Sequence, residues 1–284
     1  MEDYIETNIN DEIYPSKLKE IKNIPKKLFL RGNIELLENN LIAIVGSREC
    51  TSYGFYSAYE FAKELSKKGI CVISGLAQGI DTAAHLGAMH LKGKTIAVLG
   101  TGLNKIYPKE NEILAESIIK NGGLIISEYG LYEERKSENF PKRNRIMSGL
   151  SDGIVVIEAR NKSGTLITAR YAKEQGKKVF SLPGNVDVIN SNGTNELIKN
   201  GAILVTDVKD ILDKFIMQNE EKNKEEVNQE YKKVYDVLEA FPMHINEICK
   251  KTNSSMAEVN QIITMLEIEG LIKSLPNNQF VKGE

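Results

Sequence analysis

Between residues 41 and 215, short apolar runs alternate with longer amphipathic stretches. The apolar runs predict β-strands, which cover residues 41–45, 70–74, 95–99, 124–127, 154–158, 179–182 and 203–205. The amphipathic stretches predict helices over residues 54–68, 80–91, 111–120, 165–175 and 194–199. Apolar strands that alternate with helices are typical of a parallel sheet covered on both faces. We therefore predict an α/β fold, a Rossmann-like doubly wound parallel sheet.

The pattern outside this region predicts three further segments. Residues 1–40 contain an apolar set at Leu18, Ile21 and Leu28, but they are predicted to be too short to form more than a helical lead-in. Residues 217–230 are polar and charged and are predicted to be an exposed linker. Residues 231–284 show three helical patterns and a hairpin signal at Asn277 and Asn278. Three helices followed by a two-stranded wing indicate a small C-terminal winged helix-turn-helix domain.

Charge is balanced over the chain but not along it. The 284 residues include 37 Lys and Arg against 39 Asp and Glu. From Arg135 to Lys178, however, eleven cations face four anions, which leaves a local balance of +7. A cationic concentration of this kind favours an anionic partner, and phosphate is the obvious one. Part of it is also expected as ordinary surface lysine on helices.

Several classes of protein and site are disfavoured by composition. The three cysteines are far apart and form no CxxC pair, which disfavours a disulfide framework and a thiolate zinc site. The three histidines form no metal-binding pattern, and we expect neither a metal nor a cofactor. The N-terminus has no apolar signal region, and no apolar run approaches membrane-spanning length. We expect a cytoplasmic protein that does not bind membranes.

Glycine-containing loops follow the predicted strands, where an α/β sheet places its ligand crevice. The first strand ends in Gly46-Ser47-Arg48, which is not the GxGxxG of dinucleotide sites, and no GxxxxGK[ST] occurs. NAD and ATP sites are therefore disfavoured. Ser74-Gly75 and Gly164-Thr165 begin two further loops that run into helices, so their amides can face an anion. Each loop alone also fits a tight turn with a helix cap.

The segment from Phe140 to Arg145 places an aromatic ring beside three cations. We expect it in a loop just before the strand at 154–158, where the ring can stack on a nucleobase while the neighbouring cations neutralise phosphates. The alternative is a helix N-terminus with Pro141 in its first turn and a solvated basic face.

Many of these segments together resemble one family. The matching residues are Val45 to Arg48, Ser74 to Asp81 with Ala84-His85, Thr95 to Gly100, Tyr107-Pro108, Phe140 to Arg145, Ser163 to Ala169, Leu182 to Gly184 and Gly193 to Asn195. In their order and spacing they resemble the DprA/Smf family, the DNA-processing proteins of natural transformation. The resemblance covers about residues 12–215, and the winged-helix tail agrees with the family's optional C-terminal domain. The N-terminus departs from longer members, which carry a sterile-alpha-motif-like domain.

The resemblance implies a function and a site. Residues 41–216 would be an extended Rossmann-like domain that binds single-stranded DNA, forms a homodimer through the region from Gly193 to Asp213, and hands the strand to RecA. Phe140 would stack on a base. The cations Arg48, Lys142 and Arg143 would contact phosphates. The backbone around the remaining site residues would line the same pocket, at Gly46, Ser47, Ser74, Gly75, Gly164 and Thr165.

We therefore expect a recombination mediator of competence, without catalytic residues, that protects incoming DNA and loads RecA. The alternative is a phosphoribohydrolase-like enzyme or a nucleotide sensor on the same scaffold. Its enzymatic form is disfavoured because the turn before Thr165 lacks a double glycine and Glu174 lies about two helical turns beyond Ile167. In residues 231–284, six lysines face seven acids, so we expect protein contact or an auxiliary role there rather than DNA reading.

Overall fold

The computed structural model describes residues 4–214, 229–238, 242–268 and 271–282. The chain forms two compact units, Met1–Leu212 and Asp213–Glu284. The apolar core of the first unit lies on both faces of a large sheet, and the second unit has a separate apolar core of its own. Apart from residues 229 and 230, the predicted linker at 217–230 lies outside the described residues.

The first unit is built on a nine-stranded sheet with the order β1-β2-β6-β5-β4-β3-β7-β8-β9. Its strands are β1 (Ile5–Asn8), β2 (Lys27–Gly32), β3 (Leu41–Val45), β4 (Cys71–Ser74), β5 (Thr95–Leu99), β6 (Leu124–Ser127), β7 (Gly153–Val156), β8 (Lys178–Ser181) and β9 (Ile203–Leu204). All neighbours from β6 to β9 are parallel. The α/β doubly wound fold is thus confirmed.

The direction of winding reverses next to β3. From β3 the chain adds β4, β5 and β6 on one side, and then returns to add β7, β8 and β9 on the other. The loops that leave β3 and β7 therefore diverge at the carboxyl edge of the sheet. A crevice at such a switch point is where open α/β sheets bind ligands.

The helices that cover this sheet include α1 (Ser52–Lys67), α2 (Ile80–Ala88), α3 (Glu112–Lys120), α4 (Asn139–Leu150), α5 (Gly164–Glu174) and α6 (Asn192–Lys199). The sequence of α1 shows why it forms. The Thr51 side chain caps the helix by accepting a hydrogen bond from Gly54 N at 3.0 Å. Its buried face includes Ala58, Phe61 and Leu65, spaced three and four residues apart.

The prediction that residues 1–40 form only a helical lead-in is wrong. β1 and β2 pair antiparallel, and β2 pairs antiparallel with β6, so this segment widens the sheet by two strands. The strands are short, yet each finds hydrogen-bonding partners on a neighbouring strand, which is why four to six residues suffice. Between β1 and β2 the chain packs against α4, with Leu18 and Ile21 beside Gly149.

The prediction that Phe140 to Arg145 form a loop is also wrong, because the whole segment lies in α4. Pro141 falls in the first turn, as in the alternative interpretation. Proline is tolerated there since the amides of the first turn have no partner within the helix. The difference between a loop and a helix matters here because neighbouring side chains of a helix point in different directions.

The second unit has the predicted winged-helix architecture. Its helices are α7 (Gln229–Tyr235), α8 (Ile245–Thr252) and α9 (Met256–Ile268), and its strands β10 (Met243–His244), β11 (Ile272–Leu275) and β12 (Gln279–Lys282) pair in the order β10-β12-β11. Residues 276–278 connect β11 to β12, and two of them, Asn277 and Asn278, have positive φ, 64° and 53°, which asparagine tolerates in tight turns. Among the described residues of both units, no helix is long and apolar enough to cross a membrane.

Candidate nucleic-acid interface

A pocket of about 440 Å³ opens at the carboxyl edge of the sheet, between the loops that follow β3 and β7. It is lined on one side by residues that follow β3, on another by the first half of α4, and on the third by the start of α5. The lining is rich in arginine, with Arg48, Arg135, Arg143 and Arg160. The switch point of the sheet therefore carries a cationic crevice.

Close backbone contacts hold the loop after β3 in place. A side chain at Gly46 would collide with Ile80, whose atoms lie 2.5 to 2.9 Å from the position of a Cβ. Gly79 has a φ of 74°, and a Cβ there would lie 2.4 Å from Ser47 O. Ile80 N donates a hydrogen bond to Ser47 O at 3.2 Å. Both glycines thus let the loop lie directly on the start of α2, with Arg48 exposed above it.

Arg48 begins a row of alternating arginine and aromatic side chains. Its Cζ lies 5.4 Å from the centre of the Phe140 ring. The Phe140 ring lies 5.6 Å from that of Tyr107, at an interplanar angle of 58°. Arg135 Cζ lies 4.6 Å from the centre of the Tyr107 ring. We call these four residues the aromatic–arginine row. Cation–π attraction holds such a row together and keeps its cations at the pocket.

Arg143 differs from its neighbours because its side chain is only 3% exposed. One guanidinium nitrogen, Nη1, donates hydrogen bonds to Gly75 O at 2.8 Å and to Val98 O. A Cβ at Gly75 would lie 2.2 Å from this nitrogen, so only glycine fits above it. Ser74 is fully buried, and its Oγ donates to Ile44 O at 2.7 Å. These residues form the floor beneath the pocket.

Asp81 lies beside Arg143 and is also buried. Burial raises the pKa of its carboxyl group, while the positive charge of Arg143 and the amide of Ala77, at 3.3 Å, act in the opposite direction. Burial in turn lowers the pKa of Arg143 to about 10, and the negative charge of Asp81 partly offsets this. At neutral pH the guanidinium is thus still protonated.

The far side of the pocket is formed by the loop before α5. Thr165 Oγ1 donates to Gly46 O at 3.0 Å and thereby joins the loops that follow β3 and β7. Ser163 Oγ is buried and has no hydrogen-bond partner within the described structure. Arg160 donates to Glu49 Oε2 and to Asn190 Oδ1, each at 2.8 Å. This side therefore offers a hydroxyl group and a helix N-terminus to a ligand.

The structure describes all ten residues predicted for the site, and they occupy three different positions relative to the pocket. Seven line the pocket: Gly46, Ser47, Arg48, Phe140, Arg143, Gly164 and Thr165. Ser74 and Gly75 are buried in the floor, and Lys142 is exposed on the outer side of α4. Sequence reasoning did not identify Tyr107 and Arg135 as site residues. The described residues contain no group of three or more His, Cys, Asp or Glu side chains placed to hold a metal ion.

Comparison with protein families covers almost the whole chain. The family described as DNA recombination-mediator protein A matches residues 6–216. The family described as the DprA winged helix domain matches residues 218–278. The two matches meet near the division between the two compact units.

Individual relatives agree with these matches. Protein Smf of Escherichia coli is 45% identical over 204 residues, 72% of this chain but only 54% of that protein, so the chain spans about half the length of this relative. The DNA processing protein DprA of Streptococcus pneumoniae is 45% identical over 208 residues, 73% of each chain. Its X-ray structure has a TM-score of 0.70, at 44% identity over 74% of this chain and 73% of that one. A structure of DNA processing protein A from Helicobacter pylori, which concerns its single-stranded DNA binding mode, has a TM-score of 0.67 at 32% identity and covers 75% of this chain and 96% of that one.

Proposed function

The chain belongs to the DNA recombination-mediator protein A family, also called DprA/Smf, and we propose that it binds single-stranded DNA in the pocket between the β3 and β7 loops. The observation that carries this proposal is the aromatic–arginine row, in which two rings and two guanidinium groups lie side by side at the edge of the pocket. Sequence-tolerant binding of a single strand needs this combination of aromatic faces for the bases and cations for the backbone.

The row also explains why a duplex should bind less well. In a duplex the bases stack on each other and are not free to contact a protein ring. In a single strand, a base can stack on Phe140 or on the planar guanidinium of Arg48, which lies over that ring. The arginine beside each ring can then contact a neighbouring phosphate.

The ten predicted residues take three roles in this proposal. Arg48 and the exposed Lys142 contact phosphates, and Phe140 stacks on a base. The loops at Gly46-Ser47 and Gly164-Thr165 line the pocket and present amides and hydroxyl groups. Arg143, with Ser74 and Gly75, supports the floor instead of contacting a phosphate, because its guanidinium is buried and bonded inward.

We also propose that the protein acts as a mediator and not as an enzyme. Two carboxylates line the pocket, and each already has a partner: Asp81 accepts a hydrogen bond from Ala77 N at 3.3 Å, and Glu49 pairs with Arg160 at 2.8 Å. Neither is placed as a free acid or base. The family description names a recombination mediator. By resemblance, the partner that receives the strand is RecA, and the process is protection of incoming DNA in the cytoplasm during natural transformation.

A homodimer through the region from Gly193 to Asp213 completes the proposal. β9 lies within this region and forms one edge of the sheet. Leu204 on β9 is 48% exposed, an uncommon place for a large apolar side chain on an edge strand. A second copy would cover it.

The test is fluorescence anisotropy with a labelled oligo-dT and a duplex of equal length across a salt series. We expect tighter binding of the single strand, with an affinity that falls steeply as salt rises. Equal binding of both ligands would refute the stacking role of the row. Binding of neither, combined with binding of nucleoside monophosphates, would favour the sensor or hydrolase alternative. RecA loading is tested separately, by RecA assembly on the strand in the presence and absence of this protein.

A further inference from the structure

Lysines are concentrated in the segment that leads into β2. From Lys17 to Lys27 there are five lysines and one glutamate. Two of the five are neutralised, since Lys17 pairs with Asp152 at 2.8 Å and Lys27 with Glu6 at 2.6 Å. Lys22 and Lys26 are exposed, and their side chains form no hydrogen bond or ion pair with the described residues. We call Lys22 and Lys26 the lead lysines.

The topology of the sheet places the lead lysines at the same edge as the pocket. β2 runs antiparallel to β6, with Phe29 opposite Ser127, the last residue of β6. The residues before Phe29 therefore extend beyond the carboxyl end of β6. The pocket lies at the carboxyl ends of β3 and β7, which are parallel to β6. The lead lysines and the pocket thus share one edge.

Arg145 fixes this segment against the start of α4. Its Nε donates to Asn23 O at 2.8 Å, and its Nη1 donates to Lys142 O at 3.0 Å. The same guanidinium binds both carboxylate oxygens of Glu128, at 2.9 and 2.6 Å. Asn23 lies next to Lys22 in the chain, so one buried side chain joins the lead lysines to Lys142. It also neutralises Glu128, which would otherwise repel a phosphate at this edge.

We propose that the lead lysines are a second phosphate-binding segment, over which a single strand passes after it leaves the pocket by way of Lys142. This inference rests on the proposed binding of single-stranded DNA and adds a direction to it, from the pocket toward the N-terminal edge of the sheet. The ligand is the phosphate backbone, without base recognition, because the segment offers exposed ammonium groups and few rings. A short strand fills the pocket alone, whereas a longer one reaches both.

The experiment compares oligo-dT of about 4 and about 16 nucleotides, the range of site sizes in single-strand binding proteins. The variant is Lys22→Ala/Lys26→Ala. Its matched control is Lys68→Ala/Lys120→Ala, which removes the same charge from exposed positions just before β4 and β6, at the opposite edge of the sheet. Each phosphate contact on a single strand contributes about 0.7 to the slope of log K against log salt. We expect the lead-lysine variant to lose about 1.4 from the slope for the long strand and nothing for the short one.

The outcomes separate this inference from the proposed function. Lys22→Arg/Lys26→Arg should keep the wild-type slope, because it keeps both charges. An unchanged long-strand slope in the alanine variant overturns the inference while wild-type binding preserves the proposed function. An equal loss for both strand lengths, or an equal loss in the control variant, also overturns it. If the wild-type protein binds neither strand, the proposed function falls and the inference falls with it.

Discussion

Replacing Arg143 by alanine should show whether this residue stabilises the fold beneath the pocket or contacts DNA directly. The sequence places Lys142 and Arg143 side by side, and both were expected to bind phosphates. In the structure Lys142 is exposed and Arg143 is buried. Arg143→Ala should therefore destabilise the fold and leave the salt slope of DNA binding unchanged. Lys142→Ala should leave the stability of the fold unchanged and lower the salt slope of DNA binding.

The magnitudes follow from the contacts. Arg143→Ala removes the donor for the carbonyl groups Gly75 O and Val98 O, together with a positive charge that lowers the pKa of Asp81. Leaving a buried acceptor without its donor typically costs about 1–3 kcal/mol of unfolding free energy, so the loss of this donor should cost at least that much. Lys142→Ala should change the unfolding free energy by less than about 0.5 kcal/mol, as is usual at exposed positions, and lower the salt slope by about 0.7.

Urea denaturation measures the first quantity, and anisotropy titrations of oligo-dT across a salt series measure the second. Arg143→Ala/Asp81→Asn is the control for folding, because it removes both charges and should recover part of the lost stability. DNA binding of Arg143→Ala is then measured at a temperature where the variant is folded. A salt slope reduced by about 0.7 in a folded Arg143 variant would show that this residue contacts a phosphate and refute the supporting role.

Three further predictions concern other parts of the first unit. Phe140→Ala should weaken oligo-dT binding by about 1–3 kcal/mol in an anisotropy titration. Phe140→Tyr should retain the wild-type affinity, because it keeps an aromatic ring. Equal affinity of both variants would show that the ring does not stack on a base. Burial lowers the pKa of His85 to about 3, whereas its pKa in the unfolded chain is about 6.5. Because the unfolded chain then binds a proton that the folded one does not, the free energy of unfolding should decrease below pH 6.5, by up to about 1.4 kcal/mol per pH unit. His85→Gln should flatten that decline in urea denaturation at several pH values, and an unaltered pH dependence would contradict the assignment. Leu204→Glu should convert a dimer to a monomer in sedimentation analysis, and a dimer that survives this change does not use the β9 edge.

The central strands could be predicted from the sequence because they are buried on both faces. Residues 41–45, 95–99 and 124–127 have the same bounds in the prediction and in the structure. Burial on both faces leaves a short, nearly continuous apolar run, and its length and the glycines that flank it indicate a buried strand. β1 gave no such signal, since only Thr7 of its four residues is buried, and β2 has a buried apolar run of only three residues, Leu28 to Leu30.

The location of the site could be predicted from the sequence, but the side-chain contacts within it could not. Glycine loops at the strand ends marked the crevice, because a parallel sheet brings its carboxyl ends together. The contact between Phe140 and Tyr107 joins segments far apart in the chain, so no spacing rule indicates it. Lys142 is exposed and Arg143 is buried because each residue of a helix is rotated by about 100° from the one before it. The expected loop offered no such distinction.

The position of the pocket within the sheet has a consequence for valency. The pocket lies where β3 and β7 meet, only two strands from the edge strand β9. At about 4.8 Å between neighbouring strands, that edge is about 10 Å away. Two copies joined along β9 would hold their pockets about 25 Å apart, twice this distance plus one strand spacing. One strand could then occupy both, and its second attachment would proceed at a high effective concentration instead of at the concentration of free DNA. Affinity would then increase steeply with strand length, once the strand spans both pockets.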